Sequence, residues 1–171
     1  RPLRSAFELA ELRRAHVNKY SCIQVDKVSC SVPDYLVGQK VQVKNYHDRI
    51  VVYLNQERLC EHKKIEGAEE SLNIDHYLKT FLRKPGALKN SQVLKSNPDL
   101  ALLYYNYYTE KPKLFVELLQ KTQGLDFQER LIYLRKEGLR AQKNKDQQKK
   151  QAIDLKTRYN LSMLNQIYGM E

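Results

Sequence analysis

No stretch of the 171 residues approaches the roughly 18 consecutive apolar side chains that a membrane-spanning helix needs. The basic amino terminus also lacks the apolar core of a signal peptide. The cytoplasm is therefore the expected location, with no membrane partner. There is no glycine-rich phosphate loop, no Gly-x-Ser-x-Gly elbow and no His-Glu-x-x-His pair, so the common motifs of phosphate binding, serine hydrolysis and zinc proteolysis are missing. Asp26, Asp34, Asp48, Glu57 and Glu61 fall at strand ends or turns, where carboxylates solvate the chain, and nothing in their spacing converges on a metal. His16, His47, His62 and His76 are scattered and read as surface or packing residues. No catalytic residue is assigned. Cysteine is scarce and odd in number: Cys22, Cys30 and Cys60. With His62 they would make a four-ligand zinc set, but the Cys-x-x-Cys knuckle of structural zinc sites is lacking, and Cys behaves as a small apolar residue in cores. Reduced, buried thiols are expected, with no metal and no cofactor in this chain.

What is abundant is positive charge. Thirty Lys and Arg against twenty Asp and Glu give +10 and a pI near 9.4, a balance that favours a polyanionic partner, nucleic acid ahead of acidic membrane. The bland alternative is a soluble basic surface with no patch. Residues 1–65 carry twelve basic and seven acidic side chains, residues 66–124 eight and seven, and residues 125–171 ten and six, so two basic ends flank a near-neutral middle. The chain begins at Arg1 rather than Met, and the expectation is a piece or a processed product of something longer.

The organising stretch is Tyr20 to His62. It predicts five short strands, Tyr20–Val25, Lys27–Val32, Gln39–Tyr46, Arg49–Leu54 and Arg58–His62. Val41, Val43, Ile50, Val52 and Leu54 recur at every second position, the period of a strand with one face buried. Pro33-Asp34 closes the second strand, Gly38 precedes the third, and Asn55-Gln56 has the length of a two-residue hairpin loop.

Around this unit the readings are helical. Arg1 to Ala15, with Phe7, Leu9 and Leu12 among alternating charges, predicts a connecting helix over 1–16. Lys63 to Ser71 reads as a linker. Ile74, Tyr77, Leu78, Phe81 and Leu82 share one helical face that ends at Arg83-Lys84-Pro85-Gly86. Asn97-Pro98 caps and opens a helix through Tyr107, Lys111-Pro112 opens another, and Asp126 caps a third holding Phe127, Leu131, Leu134 and Leu139. Tyr104, Tyr105, Tyr107 and Tyr108 could stack bases, but at helical spacing they read better as core, with Tyr105 and Tyr108 the more exposed. Gln142 to Lys150 is a solvated helix or a flexible tether. Apolar residues return between Ile153 and Tyr168, either to dock into a partner's groove or to fold back on the helices.

The run Ser31-Val32-Pro33, Leu36-Val37-Gly38-Gln39-Lys40-Val41-Gln42-Val43, Asp48-Arg49-Ile50-Val51-Val52-Tyr53 and His62 resembles the carboxy-terminal β-barrel of IstA-type insertion-sequence transposases, to which phage Mu transposase has a related barrel. Asp75-His76-Tyr77-Leu78 and Arg83-Lys84-Pro85-Gly86-Ala87-Leu88 are similar to the stretches that follow the barrel in that group. Cys30 departs from the pattern, standing where the family usually has Tyr. The resemblance implies a non-catalytic portion of a DDE-type transposase that contacts DNA and assembles the transposition complex. The divalent-metal catalytic core would belong to a preceding region absent from this chain. It further implies an AAA+ helper ATPase as partner and a homo-oligomer within a transpososome.

The fold expected is α+β: a small antiparallel β-barrel over 17–65, a helical region over 72–140, and a polar tether with a carboxy-terminal amphipathic helix over 141–171. Candidate DNA contacts are Arg13, Arg14, Lys19, Lys40, Lys44, Arg49 and Lys63, with Lys40 and Lys44 pointing outward together because they alternate with Val41 and Val43. Candidate partner contacts are Leu161, Leu164, Ile167 and Tyr168. The rival readings are a stand-alone nucleic-acid-binding module outside transposition and a protein-interaction module with incidental charge.

Overall fold

The computed structural model describes the backbone of residues 9–168 and the side chains of residues 9–163. It is a mixed α and β structure. The strands are β1 (Glu11–His16), β2 (Cys22–Val25), β3 (Val28–Ser31), β4 (Lys40–Asn45), β5 (Arg49–Leu54), β6 (Glu57–Lys63) and β7 (Glu70–Ser71). They form an antiparallel sheet in the order β1-β4-β5-β6 and a smaller sheet in the order β2-β3-β7. The three strands from Lys40 to Lys63 are consecutive and antiparallel, as the alternation predicts. Asn55 and Gln56 both take left-handed φ values, 48° and 70°, which is the primed turn whose twist matches its flanking strands.

Both sheets feed one apolar core. Ile23, Val25 and Cys30 come from the smaller sheet, Val41, Val43, Ile50 and Val52 from the larger, and Val17, Val32 and Leu36 from the connections. Each fully buried Val or Ile contributes about 1.5–3 kcal/mol relative to leaving it in water. The described strands make two sheets around this core, and no ladder closing them into a single barrel is recorded.

Two local readings are corrected by the fold. The connecting helix expected over 1–16 is replaced, from Glu11 to His16, by strand β1, which pairs with β4 from Glu11↔Asn45 to His16↔Lys40. Its predicted apolar face is not used: Leu9 and Leu12 are 91% and 73% exposed. The free edge of β4 satisfies the β1 backbone and overrides a weak helical preference. Phe7 lies outside the described residues. The linker expected over Lys63 to Ser71 ends in β7, a short parallel addition to β3.

The helical half begins with a 3-10 turn, Ile74–Tyr77, running into α1 (Leu78–Arg83). A second 3-10 segment, Pro85–Asn90, leads to α2 (Gln92–Lys95) and α3 (Pro98–Leu103). Pro98 opens α3 as expected, but the Asn97 side chain turns back to the Val93 carbonyl, 2.8 Å away, and makes no cap bond. The next residues, Tyr104–Tyr108, wind with the wider π pitch, followed by α4 (Pro112–Lys121) and the 42-residue α5 (Phe127–Tyr168). The Asp126 carboxylate accepts from the Gln128 amide at 2.9 Å and starts α5 as the sequence suggests.

The core of this half gathers Ile74, Phe81, Leu88, Leu94, Leu100, Phe115, Leu119 and Leu134. Tyr104 and Tyr108 join it at 1% and 0% exposure, so Tyr108 is not one of the exposed tyrosines; Tyr105, at 48%, is. The Tyr108 hydroxyl donates to the Leu134 carbonyl, which ties the π segment to α5. Leu139 is also corrected. It is exposed, because the neighbouring Gly138 takes the inward position, where Tyr107 lies so close that an added Cβ would sit 2.8 Å from Tyr107 Cβ and Cγ.

Candidate nucleic-acid interface

The outward face of the larger sheet follows from its register. Residues opposite each other on antiparallel strands share a face, and β4 buries Val41 and Val43, so Lys40, Gln42 and Lys44 point away from the core. Their partners are His16, Arg14 and Leu12 on β1, with Tyr53 and Val51 on β5 opposite Gln42 and Lys44. On β5 and β6, Arg49 faces Lys63 on the same outer side, while Ile50 faces His62 on the inner one. Arg14, Lys40, Lys44, Arg49 and Lys63 therefore lie on one surface. Five of the seven expected DNA contacts are brought together by pairing.

Aromatic rings organise part of this surface. The Lys44 ammonium lies 5.0 Å from the centre of the Tyr53 ring, and the Arg49 guanidinium lies 4.4 Å from that of Tyr46. Arg49 also pairs with the Asp48 carboxylate at 3.0 Å. Arg14, Lys40, Gln42 and Tyr53 line a shallow depression of about 190 Å³ that ends at the Asn55 turn. Cations held in a row on a twisted sheet, with a ring between them, suit a phosphate backbone better than a compact small molecule.

Two expected contacts lie elsewhere. Arg13 parts from Arg14 because successive side chains of a strand point to opposite faces. Arg13 instead bonds Asp26 at 2.7 Å and Glu11 at 2.6 Å, with its own proton affinity raised by those carboxylates. Hydrogen bonds from Asn45 and then Arg13 hold the Asp26 carboxyl below its ordinary range. Lys19 sits in the turn after β1, 5.1 Å from the Tyr20 ring centre. Sequence reasoning missed Arg58 and Tyr53. Arg58 lies opposite Tyr53 past an irregularity in the β5–β6 pairing and bonds Glu61. Only the register reveals these two. Of the partner contacts, Leu161 is 55% exposed on α5, and the side chains of Leu164, Ile167 and Tyr168 lie outside the described residues.

The buried end of the same sheet carries a second group of chemical interest. Cys60, His62 and His76 bring possible metal-binding atoms within 4.8 Å of one another; Cys22 and Cys30 do not join them. All three cysteines are free thiols, and burial pushes those of Cys30 and Cys60 up to about 11 and 12. His62 donates from Nε2 to the Ser31 carbonyl at 2.7 Å and accepts at Nδ1 from the Ser71 hydroxyl at 2.8 Å. The Ser31 hydroxyl oxygen accepts the Asn73 amide and faces His76 Nδ1, both at 2.8 Å. Burial lowers the pKa of both imidazoles, His76 to about 4, and so keeps them neutral. With both His62 nitrogens engaged, the group works as a hydrogen-bonded clasp between the two sheets and the helical half. The neighbouring Asp75 extends the clasp to α5 through the buried Arg130, at 2.9 Å.

Residues 2–73 match the family model described as Mu transposase, C-terminal domain. The chain is similar to a protein named "Transposase" from Aminobacter aminovorans, at 29% identity over 96 residues. That alignment covers 53% of this chain and 19% of the relative, so the chain corresponds to about a fifth of that protein's length. No solved structure matches. No described helix is long and apolar enough to cross a membrane.

Proposed function

We propose that this chain is the non-catalytic C-terminal portion of a DDE-type transposase of the IstA kind, in which the two-sheet unit serves as a small barrel that lies against DNA in the cytoplasm. The observation that carries the reading is the coincidence of two facts. The segment matching the Mu transposase C-terminal domain is also the segment whose pairing aligns Arg14, Lys40, Lys44, Arg49 and Lys63 on one solvent face. Contact of this kind is to phosphate, so affinity should be modest, weakly dependent on sequence, and lower as salt rises. The test is fluorescence anisotropy of the full chain with a labelled duplex at low salt. Lys40→Glu with Lys44→Glu should weaken binding about tenfold or more, roughly the effect of losing phosphate contacts. Unchanged affinity would remove this face as the DNA contact.

The distal part of α5 supports the second half of the reading, assembly of a larger complex. From Gln142 onward the described side chains are almost all exposed, among them Ile153, Leu155, Tyr159, Leu161 and Met163. At about 1.5 Å per residue, the 42 residues of α5 reach about 63 Å, and the distal apolar side chains have no cover from the chain's own described core. We take this end, with Leu161, Leu164, Ile167 and Tyr168, as the contact for an AAA+ helper ATPase and for neighbouring copies within a transpososome. Truncation after Ala141 should abolish capture of the purified ATPase encoded beside the parent gene while leaving duplex binding intact. Retained capture by the truncated chain would overturn it.

A further inference from the structure

We infer that the proximal half of α5 carries a separate docking stripe for an acidic amphipathic helix. Ile132, Arg135, Lys136, Leu139, Arg140 and Lys143 line one shallow depression of about 440 Å³ along the side of α5 turned away from the helical core. The opposite side is already committed: Leu134 is fully buried, Gly138 meets Tyr107, and Arg130 is locked to Asp75 and the Thr122 carbonyl. This part of α5 therefore cannot rotate to bury the stripe in its own core.

Two features of the stripe have to be explained together. Ile132 is 67% exposed and Leu139 41% exposed, seven residues and about 10.5 Å apart along the helix. Cations surround them between Glu129, three residues before Ile132, and Asp146, three residues after Lys143; Glu137 is occupied with Arg140 at 2.6 Å. Phosphate contact would use the cations and leave the two large apolar side chains in water with no role. A second copy of the same stripe would bury the apolar pair but set Lys136 and Lys143 against their own kind, which costs stability. An acidic helix with apolar side chains at a seven-residue spacing meets both requirements, since its apolar face covers Ile132 and Leu139 while its flanking carboxylates meet Arg135, Lys136 and Lys143. The stripe lies on a different element from the basic sheet face and stands whether or not that face binds DNA.

The probe is a synthetic helix of about four heptads with Leu at the a and d positions and Glu at e and g, compared with the same peptide carrying Lys for Glu and with a DNA duplex. The full chain should bind the acidic peptide and not the basic one. Ile132→Ser with Leu139→Ser removes two apolar anchors from exposed helical positions outside the core, so the fold, monitored by circular dichroism, is retained. This pair should weaken the acidic peptide roughly tenfold or more, in line with losing two apolar contacts, and leave duplex affinity within about twofold. Lys136→Glu with Lys143→Glu should reverse the preference between the two peptides. Serine substitutions without effect on the acidic peptide would overturn the proposal. So would duplex affinity that falls with the lysine reversals while no peptide binds, which would make the stripe a phosphate surface. Sedimentation showing a dimer that the serine pair dissociates would assign the stripe to a second copy instead.

Discussion

The clasp where the two halves meet and the distal half of α5 are both rich in polar residues, and the fold treats them in opposite ways. At the clasp, Ser31, His62 and His76 are buried and bonded to one another, to the half-buried Ser71 and to the Asn73 backbone amide, and the buried Arg130 gives two of its nitrogens to the Thr122 carbonyl and one of these also to Asp75. Along α5 beyond Ala141, Lys, Gln, Asn and Asp remain in solvent, and the backbone bonds of the helix itself keep the segment ordered. Polar groups removed from water must be partnered, because an unpaired buried polar atom costs on the order of 1–3 kcal/mol. An exposed helix has no such obligation. Damage to a clasp residue should therefore propagate through the fold, and damage to the distal helix should not.

The largest expected effect is at the ion pair. Arg130→Met leaves the half-buried Asp75 carboxylate beside the empty site, with its buried Oδ1 already unpartnered. Loss of a buried pair's cation costs about 3–5 kcal/mol, to be read as a fall in urea midpoint. Asp75→Asn combined with Arg130→Met should recover part of it. If the single substitution costs less than about 1 kcal/mol, typical of a surface pair, the clasp does not extend to α5.

Acid should act next. His76 has a folded pKa of about 4 against an ordinary 6.5, and His62 is displaced in the same direction. The unfolded chain therefore takes up protons that the folded chain refuses, and stability falls as pH drops from about 6.5 towards 4, with no contribution from these groups above that window. For His76 the order of magnitude is about 3 kcal/mol. The depressed carboxylates Glu11, Asp26 and Glu110 act in the same sense only below about 4.5, so the interval from pH 6.5 to 5 isolates the imidazoles. His76→Gln should flatten the stability profile there; an undiminished slope would place the titration elsewhere.

A smaller effect tests where the close packing of α5 ends. Gly138→Ala should destabilise by about 1–3 kcal/mol through overpacking against Tyr107, despite the roughly 1 kcal/mol that alanine gains in helix propensity. A stabilising outcome would mean the two surfaces can separate. The smallest change is expected from truncation after Ala141. The deletion removes the exposed Lys145–Glu110 pair, which solvent screens, and little else that touches the core. A collapse of the thermal transition would show that the distal helix does stabilise its own domain and would erase the contrast with the clasp.

Much of this molecule is legible in the chain because the deciding interactions are local or periodic. The alternation of Val41, Val43, Ile50 and Val52 names the buried side of the sheet, Asn55-Gln56 supplies the tight turn, Pro98 and Pro112 open their helices, and Asp126 caps α5. The outward direction of Lys40 and Lys44 follows from the same alternation. Strand β1 was not legible, because Glu11–His16 is an edge strand with no buried side chain, and its conformation depends on the free edge of β4. Without that strand the sequence does not distinguish Arg13 from Arg14, which strand alternation sends to opposite faces.

The sequence by itself determined which residues alternate, where turns and caps fall, and that the chain carries a large positive charge. These depend on backbone sterics and on the two periods of secondary structure. Tertiary structure alone decided that Arg14 joins Lys40 and Tyr53, that His62 and His76 share Ser31, and that Gly138 admits Tyr107 while turning Leu139 outward. Each depends on register or on contact between residues distant in the chain. Such pairings are selected by the burial of the whole core, and no local window of sequence contains the partner.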